Sequence, residues 1–128
     1  MGHLGILPQT EKKFIFKGKK RDEINKLLKD SKLLEEAGIF SIVLECVETK
    51  LSKKITQQLK IPTIGIGSSA YCDGQVLVID DLIGMSGSKL KFVKKYADVK
   101  KVINSAVKSY KLEVLKKQFP QAKHSFKM

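Results

Sequence analysis

From Arg21 onward the chain spaces its apolar residues three and four apart. Ile24, Leu27, Leu28, Leu33 and Leu34 fall on one side of a helix predicted over Arg21 to Ala37, with Gly38 placed to close it. The pattern then changes. Phe40 to Val47 (FSIVLECV) is almost unbroken apolar sequence of strand length, the mark of a strand covered on both faces. Thr49 to Leu59 returns to helical spacing, with Leu51, Ile55 and Leu59 on one stripe, and Ile61 to Gly67 (IPTIGIG) predicts a second buried strand with Pro62 near its start. Gln75 to Asp80 (QVLVID) reads two ways. Its β-branched residues favour a strand, while Asp73 is placed to cap a short helix running to Gly84. Leu90 to Phe119 predicts two helices that break near Asp98, and a tail follows from Pro120.

Helix, buried strand, helix, buried strand at short spacing predicts an α/β fold with a parallel sheet, either a (β/α)8 barrel or a doubly wound sheet. One connection is tight. Only the seven residues 68–74 separate Gly67 from Gln75, fewer than a crossover helix needs. Either a short irregular link joins two strands there or 75–80 is not a strand. There is no internal repeat, low-complexity tract or long linker.

At 128 residues with 42% hydrophobic and 30% charged side chains, the chain suits one domain with a core and excludes a disordered segment. No apolar run approaches the ~20 residues of a membrane helix. Met1–Pro8 is short for a signal peptide, and Ile6 breaks the myristoylation pattern after Gly2. Cys46 and Cys72 form no CxxC pair and suit a reducing cytoplasm. The expectation is a cytoplasmic protein with no membrane partner.

The net charge of +12 invites a nucleic-acid reading, but its distribution argues against one. All but one of the 25 basic residues are lysine, the exception being Arg21, and phosphate or guanine recognition draws heavily on arginine's planar fork. Residues 1–85 are nearly balanced, with 13 basic and 11 acidic side chains, whereas 86–128 hold 12 and two. The surplus reads as a solvated lysine coat on the C-terminal helices and tail, with no nucleic-acid partner.

Glu45 carries the sharpest chemical signal. Strand alternation puts Val43, Glu45 and Val47 on one side and Ile42, Leu44 and Cys46 on the other. A carboxylate near the C-terminal end of an apolar parallel strand stands where barrels keep catalytic groups, and burying a carboxyl raises its pKa toward that of a general base. The plainer alternative is a glutamate turned to solvent and paired with a lysine. Thr63, Gly65 and Gly67 share a face, and the two glycines either open space for a substrate or allow close packing. No P-loop or G-x-G-x-x-G is completed. In Gly2-His3-Leu4-Gly5 the flanking glycines suggest a strand end whose beginning is missing. His124 lacks metal-ligand spacing with any partner. Asp80 and Asp81 are either a cation pair or a cap, and the two cysteines read as buried structural thiols.

At these residues the chain resembles the C-terminal half of the ketopantoate hydroxymethyltransferase family. The resemblance runs through GHLGILPQ at 2–9, EEAGIFSIVLECV at 35–47, IPTIGIGSS at 61–69, CDGQVLV at 72–78, KFVKKYADV at 91–99 and FPQAKHSF at 119–126. The stretches follow family order and cover nearly the whole chain. The resemblance implies the C-terminal half of a (β/α)8 barrel of the phosphoenolpyruvate/pyruvate type, with all 128 residues as one partial domain and the lysine-rich 86–128 within it.

It also implies hydroxymethyl transfer from 5,10-methylenetetrahydrofolate to 3-methyl-2-oxobutanoate on the way to pantothenate, with magnesium binding the 2-oxo acid. The IVLECV motif carries the family's proton-abstracting glutamate onto Glu45, and GHLG carries a substrate-side histidine onto His3. The magnesium ligands and the substrate lysine belong to the N-terminal half, so the expected partner is a complementary half-barrel or a homo-oligomer, and the chain alone is expected to be inactive. Departures from the family pattern lie in the loop after Gln9, where FIFKGK stands at 14–19, and at Asp80 and Ser69. Two further readings remain: a non-catalytic remnant or accessory subunit of the same fold, and, remotely, a basic nucleic-acid-binding module.

Overall fold

The computed structural model describes residues 1–9 and 15–126. Phe14 of the FIFKGK segment lies outside them. The chain forms two compact units, one of Met1–Leu77 with Leu90–Val93, the other of Val78–Lys89 with Lys94–Met128.

The first unit is built on a sheet of β1 (Gly2–Gly5), β2 (Ile42–Glu45), β3 (Thr63–Ile66) and β4 (Gly74–Gln75). The strands lie in chain order and every pair is parallel. Helix α1 (Arg21–Glu36) joins β1 to β2, and α2 (Thr49–Gln58) joins β2 to β3. Both helices serve the same face. Leu27 of α1 and Leu51 and Ile55 of α2 form a buried cluster with Ile42, Leu44, Val47 and Cys72, flanked by Leu4, Ile24, Leu28 and Leu34. Helical spacing at 24, 27, 28 and 34 is therefore read correctly, but Leu33 is exposed, one position off the stripe that reaches the sheet. Gly38 takes a left-handed φ of 85° and donates to Glu35 O, ending α1 as the sequence requires.

The predicted strand from Phe40 shrinks to Ile42–Glu45, with Phe40 itself exposed. Its alternation also ends sooner than the sequence suggests. Cys46 adopts a left-handed φ of 52°, which turns the chain so that Val47 enters the core beside Leu44 instead of following Glu45. Register then places His3, Gly5, Val43, Glu45, Ile64 and Ile66 on the sheet face opposite α1 and α2. Of this row only Glu45 is buried; the others are half-buried.

The tight link from β3 to β4 is irregular, without a helix. Asp73 holds it. Its carboxylate accepts from Thr63 N at 2.8 Å and Thr63 Oγ1 at 3.0 Å, and Thr63 Oγ1 also meets Thr56 Oγ1 at 2.9 Å. The Thr63 amide and hydroxyl hold the Asp73 carboxyl below its ordinary value, against the small opposing effect of burial. Asp73 is thus a strand tether and not a helix cap. The 75–80 segment divides: Gly74–Gln75 is strand, and a single helical turn, α3 (Ile79–Leu82), begins after Val78.

The second unit contains α3 and α4 (Val99–Leu115). One helix, not two, occupies the predicted 90–119 span. Asp98 caps its start by accepting from Lys101 N, and the residues from Leu90 to Ala97 are not helical. Residues 100–115 are exposed throughout, and among the lysines Ile103, Val107, Tyr110 and Val114 recur at helical spacing. Beyond the helix Phe119 packs edge-on against Tyr110 and also meets the His124 ring. Among the described residues no helix is long and apolar enough to cross a membrane.

Candidate active site

The two residues singled out by sequence, Glu45 and His3, come together. They sit on adjacent strands, two residues apart in register, and His3 Nε2 lies 3.1 Å from Glu45 Oε2. The Glu45 side chain is 9% exposed and that of His3 32%. Although the two atoms touch, the ring N–H is not aligned on the oxygen, so Nε2 is buried without a hydrogen-bond partner. Glu45 is therefore not the solvated glutamate of the plainer alternative. It is a desolvated carboxylate beside an imidazole, with Ile66 opposite it on β3 and Val43 two residues back on its own strand.

Backbone groups fix its place from three directions. On the β1 side, Ile6 N donates to Glu45 O at 2.9 Å. That approach needs Gly5, whose φ is 101° and whose absent Cβ would lie 2.0 Å from the same oxygen. On the β3 side, Cys46 N donates to Ile66 O at 2.8 Å. Across the strand end, Lys17 N donates to Cys46 O at 2.8 Å and Lys17 O accepts from Glu48 N at 2.9 Å, a single parallel bridge laid over the exit from β2. Glu23, in the first turn of α1, secures that crossing by accepting from Gly18 N at 2.6 Å and Lys19 N at 3.1 Å. Burial works to raise the Glu23 carboxyl, but the two amides and nearby Lys17 and Lys20 outweigh it and hold the group low.

Ser68 completes the frame. Its hydroxyl donates to Leu44 O at 2.6 Å and accepts from Val47 N at 3.0 Å, spanning Glu45 and Cys46. Sequence reasoning reads Gly5 only as a strand end, which it is, and misses Ser68 and Lys17. Gly5 left a signal, a glycine where an apolar strand would continue. A serine among serines after Gly67 and a lysine among lysines left none.

The remaining candidates take structural places. Gly65 and Gly67 do not open room for a substrate. The space of a Gly65 side chain is filled by the Gln75 amide and Cys72 Sγ, and that of Gly67 by the Phe92 ring. Cys46 and Cys72 are free and buried, and burial, with the Glu45 charge adding to it, pushes the Cys46 thiol up. Asp80 and Asp81 lie in the first turn of α3, where the Asp81 carboxylate accepts from the Ser86 hydroxyl. His124 Nδ1 accepts from Gln121 N. Among the described residues no three His, Cys, Asp or Glu side chains are grouped to hold a metal ion. A cleft of about 250 Å³ borders His3 and Gly5, walled by Lys17 and by Glu23, Lys26 and Asp30 of α1.

Comparison with known proteins bears on the whole chain. The family model for ketopantoate hydroxymethyltransferase matches residues 1–122. The chain is 57% identical over 126 residues to a 3-methyl-2-oxobutanoate hydroxymethyltransferase of Pelagibacter ubique, covering 98% of this chain and 49% of that protein. It is 50% identical to the Carboxydothermus hydrogenoformans protein of the same name over its full length, 48% of that relative, and 48% identical to that of Geobacter metallireducens over 98% of this chain and 49% of the relative. The chain thus spans about half the length of the curated relatives it matches. With a family model covering nearly all of it, this chain belongs to the ketopantoate hydroxymethyltransferase family.

Proposed function

We propose that this chain supplies the proton-accepting side of a hydroxymethyl transfer from 5,10-methylenetetrahydrofolate to 3-methyl-2-oxobutanoate. The observation that carries this reading is the desolvated Glu45 carboxylate, 3.1 Å from His3 and bordered by Val43 and Ile66 on a half-buried sheet face. In the proposed step a proton leaves C3 of the 2-oxo acid for a Glu45 oxygen, and the C–H electron pair becomes the enolate. Water adds to the methylene carbon as both of its bonds to folate nitrogens break, each nitrogen taking up one of the water's protons. The enolate carbon then bonds that carbon as the C=O π pair moves to oxygen, and the resulting alkoxide takes the proton held by Glu45. His3 borders the carbon being deprotonated and holds the substrate against the strand. The apolar row of Val43, Ile64 and Ile66 suits a branched aliphatic side chain.

The fold assigned to this reading is the C-terminal half of a (β/α)8 barrel, with all 128 residues serving one partial domain. Four parallel strands in chain order, with both crossover helices on one face, support it. Magnesium does not fit the described residues of this chain, which group no three ligands. We therefore assign its ligands to the complementary half and draw no step through it. The isolated chain is then inactive, and its partner is that half or an assembly of copies. The bare Ile103–Val114 stripe of α4 is consistent with a surface made to be covered.

The test is reconstitution with a matching N-terminal half, followed by assay of 3-methyl-2-oxobutanoate consumption. Turnover is expected to appear only in the mixture and to fall about 10²–10⁴-fold with Glu45→Gln, the range for loss of a general base. A reconstituted enzyme indifferent to Glu45→Gln would leave the chain an accessory subunit or remnant.

A further inference from the structure

The chain leaves β2 through a conformation that needs a restraint. Cys46, a non-glycine residue, sits at φ 52°, and the turn it makes sends Val47 into the core and leaves Glu45 as the last side chain on the opposite face. A backbone turned this sharply holds one geometry only if the groups on either side of it are fixed. Val47 is 2% exposed, so its N–H must find a partner inside the protein. That partner is the Ser68 hydroxyl at 3.0 Å. The same oxygen donates its proton to Leu44 O at 2.6 Å. One hydroxyl therefore ties together the residue before Glu45 and the residue after Cys46, closing a loop around the pair.

Ser68 is itself held. It follows Gly67, whose φ of 61° and contact with the Phe92 ring fix the turn out of β3. Its carbonyl is 3.5 Å from the Thr49 hydroxyl at the start of α2. The turn after β3 thus acts as a rigid arm that reaches across to the end of β2.

We propose that Ser68 is a positioning residue for Glu45, setting the direction in which its carboxylate meets His3. Loss of the hydroxyl frees the Leu44–Val47 arch and lets the Cys46 turn relax, so the carboxylate swings from its 3.1 Å contact. This deepens the reading of Glu45 as the working base, but it concerns geometry. Its test therefore needs no turnover, and an inactive reconstituted enzyme would not touch it.

The experiment uses the full chain with ring-nitrogen-labelled histidine. Only His3 and His124 contribute signals. Glu45→Gln identifies the His3 ring signals and marks where they lie without the neighbouring charge, and signals from Ile6 and Ile55 methyl groups report on folding. Ser68→Ala is expected to move the His3 ring signals at fixed pH by at least half the displacement seen in Glu45→Gln. Ser68→Thr, which keeps the hydroxyl, should return them to their original place, and His124 should stay still in all variants. A folded Ser68→Ala with His3 unmoved overturns the proposal. Where Ser68→Ala does not fold, Ser68→Cys decides: a thiol is a poor hydrogen-bonding substitute, so His3 signals left in place by it overturn the proposal and displaced signals uphold it.

Discussion

Replacing Gly5 by alanine tests how β1 is joined to the carbonyl of Glu45. The added Cβ would stand 2.0 Å from Glu45 O and 2.9 Å from Val47 Cγ2. A backbone carbonyl oxygen at the end of a paired strand cannot turn aside as a side-chain tip can, so the strand end must move by about an ångström or more to restore an ordinary contact. Three costs follow. A φ of 101° strains an alanine by about 1–3 kcal/mol. The shift breaks the 2.9 Å bond from Ile6 N to Glu45 O, and Ile6 is wholly buried, so its N–H loses its partner at about 1–3 kcal/mol. Repacking around Val47 adds about 1 kcal/mol. The total, about 3–7 kcal/mol, is a large part of the ~5–15 kcal/mol that holds a domain of this size.

Gly38 is the control. It too has a positive φ, 85°, but nothing lies within 4 Å of where its Cβ would go. Gly38→Ala should cost only the backbone term, about 1–2 kcal/mol. Urea unfolding followed by far-ultraviolet circular dichroism measures both. The expected result is a Gly5→Ala midpoint far below that of Gly38→Ala, or no folded baseline at all. Two variants within 1 kcal/mol of each other would refute the claim that β1 is locked to the Glu45 carbonyl.

Two further outcomes follow from the titrating groups. Asp73 is held below the ordinary carboxylate pKa by Thr63, so the folded state binds its proton less readily than the unfolded chain; its contribution is whole above ~pH 4 and fades as pH falls through the lower folded value. Because Asp73 is exposed, that contribution is small, about 1 kcal/mol or less, and Asp73→Asn should cost about that much near neutrality and nothing at pH 2 by urea titration. The buried Cys46 thiol, pushed up by burial and by Glu45, should react with a disulfide reagent at pH 8 more than tenfold slower in the native chain than in urea; equal rates would place it at the surface.

What the sequence made legible follows from how local each signal is. Helical spacing in 21–37 and 49–59 and apolar runs at 40–47 and 61–67 announce elements whose cause lies within the element itself. Glu45 was legible because a carboxylate in an apolar strand contradicts its surroundings, and His3 through the motif that carries it. The errors fall where distant residues decide. Period-2 alternation puts Val47 on Glu45's face because it cannot register a left-handed Cys46, and that conformation is bridged by Ser68, 22 positions further on. At Gly65 and Gly67 the sequence suggests openings, because a missing side chain does not disclose that Gln75 and Phe92 fill its place. The stretch 90–98 was read as helix because its composition suits one, yet the cap at Asp98 starts the helix after it.

The surroundings of Glu45 also bear on what a half-length chain can contribute. Its strand and both neighbouring strands, β1 and β3, lie within residues 1–77. The bonds that aim it, from Ile6, Ser68 and Lys17, come from the same stretch. Setting a buried carboxylate against an imidazole is costly, since it must be held away from water without a full complement of hydrogen bonds. That cost is met here by one chain's own fold, before any partner is present. Under the proposed function, a complementary half supplies the metal site and the facing wall, and it meets a carboxylate already in position. On that reading, two halves assemble without either remodelling the other's strands around Glu45.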